Sequence, residues 1–456
     1  MESGCSNRIV IPTGAARWRD LPGLVWAVHS HLKIPRRRWR IAFLLGFGVL
    51  VNYFDRVNLS VAHAALITTF AISNITFGYL SAAYNWTYTL CQLPIGVVLD
   101  RFGVRRIGRI SSFLWSVASF AAAVAPNLGG FFAARLLLGI GEAPTFPSNA
   151  KAIGYWFPAR ERSSATSIFD GSAKFASAIG VPLIGLLMLK VGWRWSFAAT
   201  GLLSFFYFLL FCLVYRDPGD DPKLTTQERD YILEKENATP VLPAETASFG
   251  YLIRQPKVIG VTVGFGAYNY VFYLLLTWLP SYLSSALHID LLHSFLYTGV
   301  PWLIGTASEF LIGGWMVDRL LARGWSASGV QRGVLIGGTT MGLGIIGAAY
   351  SQTATSALLW ISLSLAGLSA ASAVGWSIPS LIGPRGSVGT LGGIQNFSSQ
   401  VSGILAPIVT GYLVTARHSF GWAFGVAGIY LMIGISAYIF LLGRIEQIPS
   451  EPQRAA

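Results

Sequence analysis

Apolar residues run through this chain in stretches of about twenty or more, separated by short polar breaks, and polar faces at helical or strand period are largely missing. The stretches fall at roughly 41–66, 76–99, 107–125, 129–150, 164–189, 195–215, 258–287, 296–317, 331–350, 355–378, 388–415 and 420–442. About twenty residues of helix cross the ~30 Å hydrocarbon core of a bilayer, so each stretch is long enough to span. The pattern predicts an all-α membrane protein with twelve transmembrane helices. The longest polar interruption, 216–257, is rich in Pro, Asp, Glu and Lys and leaves six helices on each side. The expected organisation is a segment 1–40, a six-helix bundle 41–215, a linker 216–257, a second six-helix bundle 258–442 and a tail 443–456. In the linker, Thr225-Thr226-Gln227-Glu228 has capping-box spacing and predicts a short surface helix, TTQERDYILEKEN. The rest of the linker reads as a solvated tie between the halves.

Composition names the solvent. Only 12% of the 456 residues are charged and 53% are hydrophobic, against about 25% charged in soluble domains, which points to lipid. The net charge of +13 raises the question of nucleic acid, and its placement answers it. With the N-terminus inside, Arg36, Arg37, Arg38, Arg40, Arg101, Arg105, Arg106, Arg109, Arg160 and Arg162 all fall on the cytoplasmic side, while only Lys190, Arg194 and Arg417 fall outside. That is the positive-inside asymmetry, which predicts both termini in the cytoplasm of a cell (inner) membrane and requires no nucleic-acid partner. Cys5, Cys91 and Cys212 are scattered and imply neither a disulfide framework nor a metal site. Residues 1–38 lack the long apolar core of a signal peptide, and LPGLVWAVHSHL within them has the character of a segment lying on the membrane surface.

The second predicted helix ends in GVVLDRFGVRR (Gly96 to Arg106) and the eighth in GGWMVDRLLARG (Gly313 to Gly324), so Asp100-Arg101 and Asp318-Arg319 occupy equivalent places in the two halves. Parallel repeats of this kind build secondary transporters whose substrate site lies near the midplane. GVVLDRFGVRR matches G-x-x-x-D-R-x-G-x-R-R, the signature of the major facilitator superfamily, at every fixed position. Asp100, facing a helix N-terminus or a neighbouring Arg such as Arg101 or Arg105, is expected to latch the cytoplasmic gate, with Asp318 and Arg319 as its counterpart. NYFDRVNLSVA (Asn52 to Ala62), RLLLGIGEAPTFPSNAKAIGYWFPARER (Arg135 to Arg162), NYVFYLLLTWLPSYL (Asn269 to Leu283) and GGIQNFSSQVSGILAPIVTGYL (Gly392 to Leu413) further resemble the anion:cation symporter family. That family includes bacterial hexuronate, galactonate and glucarate permeases and animal sialic acid and glutamate carriers. The resemblance covers about residues 40–445.

Charged residues inside the apolar stretches carry the chemistry. Asp55 and Arg56 sit near the middle of the first helix, where an unpaired charge costs at least about 2.5 kcal/mol, so they face a partner or a water-filled cavity. Arg suits a carboxylate because its planar fork binds both oxygens. The resemblance assigns Arg56 as the substrate clamp, with Tyr53 one turn earlier. In the fourth helix Arg135 and Glu142 lie two turns apart on one face, and a buried carboxylate there can take up and release a proton. The resemblance gives the coupling proton to Glu142 and Asp55 and has Arg135 stabilise the carboxylates once deprotonated. The alternative is a permanent brace from Arg135 to Asp55 or Glu142. In the fifth helix Lys174 stands where the sugar-acid branch leads one to expect a neutral residue such as Gln. It either pairs with Asp170, four residues back, or offers a second cationic contact that would suit a dicarboxylate. Tyr88, Asn269, Tyr273, Trp376 and Asn396 complete the expected cavity, from resemblance and polarity. Glu309 in the eighth helix has no partner that the sequence names, and reads as a gate or second proton site.

Other classes fit poorly. His29, His31, His63, His288, His293 and His418 are dispersed, and no Ser/His/Asp or metal-ligand spacing accompanies them, so an enzyme is not expected. No cofactor is expected either. A channel would assemble a symmetric pore, whereas this chain carries its own repeat and an interior charge set. The expected function is proton-coupled import of a small organic anion, of the sugar-acid type, by a monomer in a lipid bilayer. Facilitative or exchange transport of organic anions is the alternative.

Overall fold

The computed structural model describes residues 35–233, 247–384, 387–449 and 451, apart from some side chains that include those of Asp100, Arg160 and Arg162. Cys5, LPGLVWAVHSHL and the last residues of the predicted linker helix therefore lie outside the described residues. The described chain is almost entirely helical, and its long helices fall where the apolar stretches predict them. They are α1 (Arg37–Val61), α2 (74–102), α3 (104–124), α4 (128–156), α5 (Ala159–Val191), α6 (Trp193–Val214), α7 (Pro256–Ala286), α8 (Leu291–Ala322), α9 (Ala327–Ala349), α10 (Ala354–Gly375), α11 (Val388–Arg417) and α12 (Gly421–Leu442).

Local chemistry sets the boundaries. Four of the six long helices entering from the end opposite the linker begin on side-chain caps: Ser73 accepts from the Thr76 N–H, Asn127 from Gly130, Asp290 from His293 and Thr353 from Ser356. α2 and α3 run into one another through Gly103, whose φ of 75° a Cβ would oppose. α4 is interrupted at 143–144, where Pro144 begins a second segment, Thr145–Trp156. Past α1 the chain forms His63–Phe70 and then bends by 116° into α2. α8 widens into a π-helical turn, Glu309–Met316, in its middle.

The two sets of six helices meet from mid-height to the far end. Ser60 Oγ donates to the Thr277 carbonyl (2.8 Å), His63 Nδ1 pairs with Ser281 Oγ (2.8 Å), Asn85 Nδ2 donates to the Gly403 carbonyl (2.9 Å), and the hydroxyls of Tyr79 and Tyr412 meet at 3.1 Å. The rings of His63 and Phe77 pack edge-on against Trp278. At the linker end the second half keeps a core of its own, including Leu252, Val258, Val317, Ile378 and Leu442, with no first-half residue among its described members. The halves are thus closed at the far end and keep separate cores at the linker end.

The linker is less solvated than expected. Its helix, Thr226–Leu233, docks on the linker end of the first half, and Glu228 is fully buried. Glu228 accepts the Arg37 and Arg38 backbone N–H groups (both 3.1 Å), capping α1, and pairs with Arg38 Nη1 at 2.9 Å. Arg38 also meets Glu161 of α5 at 2.8 Å, and Arg37 meets Asp221 at 2.8 Å. The Thr225 half of the predicted capping box is present, with Thr225 Oγ1 accepting the Glu228 N–H at 3.2 Å. The Glu side chain turns instead to two of the four N–H groups that begin a neighbouring helix without an intrahelical partner.

Candidate functional site

The intramembrane charges converge at mid-height. Arg56 lies a little past the middle of the α1 to His63–Phe70 run, Glu142 at the break in the middle of α4, and Lys174 and Glu309 near the middles of α5 and α8. Arg56 Nε donates to Glu142 Oε2 at 3.1 Å, and both side chains are buried. Three phenol rings surround the guanidinium: its Cζ is 4.5 Å from the centroid of Tyr53, 4.6 Å from Tyr84 and 5.5 Å from Tyr88. A cation over aromatic faces in a desolvated site gains on the order of 2 kcal/mol per good contact, so the cage holds the charge without neutralising it. The outer nitrogen Nη2 of Arg56 is buried with no hydrogen bond.

Glycines bring Glu142 within reach. A Cβ on Gly139 would lie 2.2 Å from the Tyr84 carbonyl oxygen, and one on Gly141 would lie 2.7 Å from the Trp115 backbone nitrogen. α4 therefore packs backbone to backbone on α2 and α3, as small residues allow in membranes.

Asp55 points elsewhere. Neighbouring residues on a helix diverge by about 100°, so when Arg56 faces α2 and α4, Asp55 faces α6. Ser204 Oγ donates to Asp55 Oδ2 at 2.8 Å, and below it Asn58 bonds Thr200 (3.2 Å) and Ser196 (2.8 Å). Ser196, Thr200 and Ser204 recur every four residues and form a polar seam that the sequence reading missed. Arg135 is also buried, 5.6 Å from the Tyr84 centroid. Among the described residues no carboxylate forms an ion pair with it, so the alternative of an Arg135 brace is not what this state contains. Two helical turns separate Arg135 from Glu142 by about 10 Å, beyond direct contact when Glu142 turns to Arg56.

On the opposite face, Tyr273 donates to Gln400 Oε1 and Gln400 Nε2 to Asn396 Oδ1, both at 3.5 Å. The Tyr273 ring lies against Gly403, whose carbonyl receives Asn85, so this polar group of the second half adjoins the α2 turn that bears Tyr84 and Tyr88. Asn269 is buried and bonds its own helix at the Phe265 carbonyl (2.9 Å). Trp376 stands apart from the cluster, 42% exposed at the end of α10, edge-on to Phe265 at 5.1 Å. Lys174 is 2.6 Å from Glu309 Oε2 and 3.7 Å from Asp170. Both sequence alternatives omitted its nearer partner, which lies in the other half of the molecule. Tyr84 and Gln400 were likewise missed; Tyr84 is one turn from Tyr88 on the same face, and that i,i+4 spacing was the available signal.

The expected gate residues are at the linker end. The Asp100 side chain lies outside those described. Arg101 is exposed over Phe102, and Arg105 approaches Asp220 of the linker at 3.5 Å. Asp318 is exposed, and Arg319 lies over Trp315 at 5.1 Å.

Known proteins resemble this chain along most of its length. The family model of the Major Facilitator Superfamily matches residues 45–382. The chain is 38% identical to the uncharacterized transporter YybO of Bacillus subtilis over 90% of this chain and 95% of that protein. It is 32% identical to the D-galactonate transporter of Escherichia coli O6:H1 (91% and 97% covered) and 30% identical to the "Probable galactarate/D-glucarate transporter GarP" of Escherichia coli K12 (90% and 96%). In fold it resembles the inward-facing crystal structure of a bacterial homologue of the human lysosomal transporter Spinster, with a TM-score of 0.71 at 17% identity over 89% of this chain and 97% of that one.

Proposed function

The chain belongs to the major facilitator superfamily and is a multi-pass membrane transporter, not an enzyme, and on that premise we propose that it imports a small sugar acid together with protons. One observation carries the reading: the buried Arg56–Glu142 pair at mid-height, ringed by tyrosines. A substrate carboxylate can claim the guanidinium fork only by displacing Glu142. The displaced carboxylate would then be buried and unpaired, which is costly unless it takes a proton. Binding of the anion and protonation of Glu142 are therefore linked by electrostatics alone. Asp55, with Arg135 nearby in the same half, is the second carboxylate of the coupling set. Tyr53 and Tyr88 offer aromatic walls, Asn269, Tyr273 and Asn396 offer hydrogen bonds to substrate hydroxyls, and Trp376, exposed at the end of α10, offers a further aromatic face. Sugar acids as the substrate class accord with the names of the relatives that transport galactonate and galactarate or glucarate.

The positive-inside asymmetry supports an inner-membrane location with the linker end and both termini in the cytoplasm. The structure then corresponds to a state closed to the outside, and Asp100, Arg101, Arg105, Asp318 and Arg319 stand where a cytoplasmic latch would form when the cycle reverses. The two-fold repeat within one chain suits a monomer. The test is uptake of radiolabelled D-galactonate into proteoliposomes holding the purified chain. Saturable accumulation driven by an inward proton gradient and collapsed by a protonophore is expected. Linear conductive flux, or uptake that needs only a counter-anion, would overturn it.

A further inference from the structure

Lys174 and Glu309 form a second buried charge pair at mid-height, and it crosses between the halves. The ammonium is 2.6 Å from Glu309 Oε2, with side-chain exposures of 5% and 8%, and Asp170 stands 3.7 Å away on the same face of α5. The pair is tightly framed. Glu309 opens the π-helical turn of α8, and such turns cluster at functional sites. A Cβ on Gly171 would meet the Phe310 ring at 2.4 Å, and one on Gly299 would meet the Ala178 carbonyl at 2.5 Å, so α5 and α8 touch on both sides of the pair. The titratable groups around it are Lys174 and Asp170 of α5, Glu309 itself and Tyr268 of α7.

Among the described residues, two buried cations at mid-height, Arg56 and Lys174, are each matched by a resident carboxylate. We propose that the substrate is a dianion: a short polyhydroxy chain with a carboxylate at each end, one taken by Arg56 and the other by Lys174. The inference deepens the function proposed above and rests on it. A monocarboxylate needs one exchange of partners and leaves Lys174 with Glu309. A dianion makes the same exchange twice. Its second carboxylate replaces Glu309 at the ammonium, and Glu309, left beside Asp170 in a buried site, takes a proton from water. One proton then accompanies each carboxylate. Because Glu309 belongs to the other half, the second exchange also replaces a direct bond between the halves by one made through the substrate.

Galactarate and D-galactonate separate the possibilities, since they differ only in whether the sixth carbon is a carboxylate or a hydroxymethyl group. Titration calorimetry on the full chain in detergent is expected to show tighter binding of galactarate. Lys174→Gln should cut the galactarate-to-galactonate preference by roughly tenfold or more, the scale of a lost charge-assisted bond, and Lys174→Arg should restore part of it. Glu309→Gln should lower the protons taken up per galactarate by one, read as the pH change in weak buffer. If Lys174→Gln does not elute as a folded monodisperse protein, Lys174→Gln with Glu309→Gln, which removes both charges, should lose the same preference. A wild type that binds galactonate and prefers it to galactarate overturns this inference and leaves the proposed function standing, as does an unchanged preference in the Lys174 variants. Binding of neither acid overturns both.

Discussion

Arg56 is positioned by one carboxylate, which matches its charge, and by three phenol rings, which hold the cation without neutralising it. Arg56→Lys keeps the charge and loses the planar fork, so D-galactonate binding is expected to weaken by roughly 10- to 100-fold, the cost of one charge-assisted hydrogen bond, while the protein stays folded. Calorimetry that finds equal affinity would remove Arg56 from the substrate site. Glu142→Gln should abolish accumulation on a proton gradient yet preserve counterflow of labelled substrate, because exchange needs only the binding site. If Glu142→Gln still concentrates substrate, the proton resides elsewhere; if both assays fail in a folded variant, Glu142 is structural. These residues were legible because an ion in an apolar stretch is costly and demands a reason. Tyr84 was not, since a tyrosine in a membrane helix reads equally well as packing. The partners were harder still. Helical period shows which residues share a face and leaves open which helix that face meets, so Glu142 was read against Arg135 of its own helix and Lys174 against Asp170 of its own. In both cases the nearer partner came from another helix, Arg56 of α1 and Glu309 of α8.

At the scale of elements, the linker helix is fastened to the transport body. Glu228, fully buried, caps two N–H groups of α1 and pairs with Arg38, while Asp221 holds Arg37. Glu228→Ala leaves Arg38 paired with Glu161 alone, at 2.8 Å, among the described residues and strips the α1 cap. Breaking a buried pair from one side costs about 3–5 kcal/mol. The expected result is a clear fall in melting temperature and faster proteolysis within the linker, with Glu228→Gln intermediate because its amide oxygen can still accept the α1 N–H groups. An unchanged melting curve for Glu228→Ala would show that the docked linker adds nothing to stability. Thr225 as a helix start was readable from its spacing to Glu228. The destination of the Glu228 side chain was not, because it depends on a helix nearly two hundred residues away in sequence.

The whole molecule is closed from mid-height to the far end, and what permits closure is backbone approach more than any single bond. Gly299 of α8 faces α5 so closely that a Cβ would lie 2.5 Å from the Ala178 carbonyl oxygen and 3.1 Å from Pro182 Cγ. The nearest obstacle is backbone, which cannot rotate aside as a side chain can. Gly299→Val must therefore push α8 off α5, and overpacking of this kind costs about 1–3 kcal/mol. On the proposed alternating cycle the two helices separate at this end when the far side opens, so that energy falls only on the closed arrangement. The equilibrium should shift toward the far-side-open state by roughly 5- to 150-fold, because a perturbation moves a two-state population by its differential energy. Spin labels at the exposed positions Gly129 and Ala286, one in each half at the far end, report the change. Their distance distribution should lengthen in Gly299→Val, and gradient-driven uptake should fall as the closed state becomes harder to reach. Gly299→Ala, with a single methyl, should lie between. A folded Gly299→Val with an unaltered distance distribution would mean that α5 and α8 stay together throughout the cycle, and that the Lys174–Glu309 pair is a permanent joint between the halves.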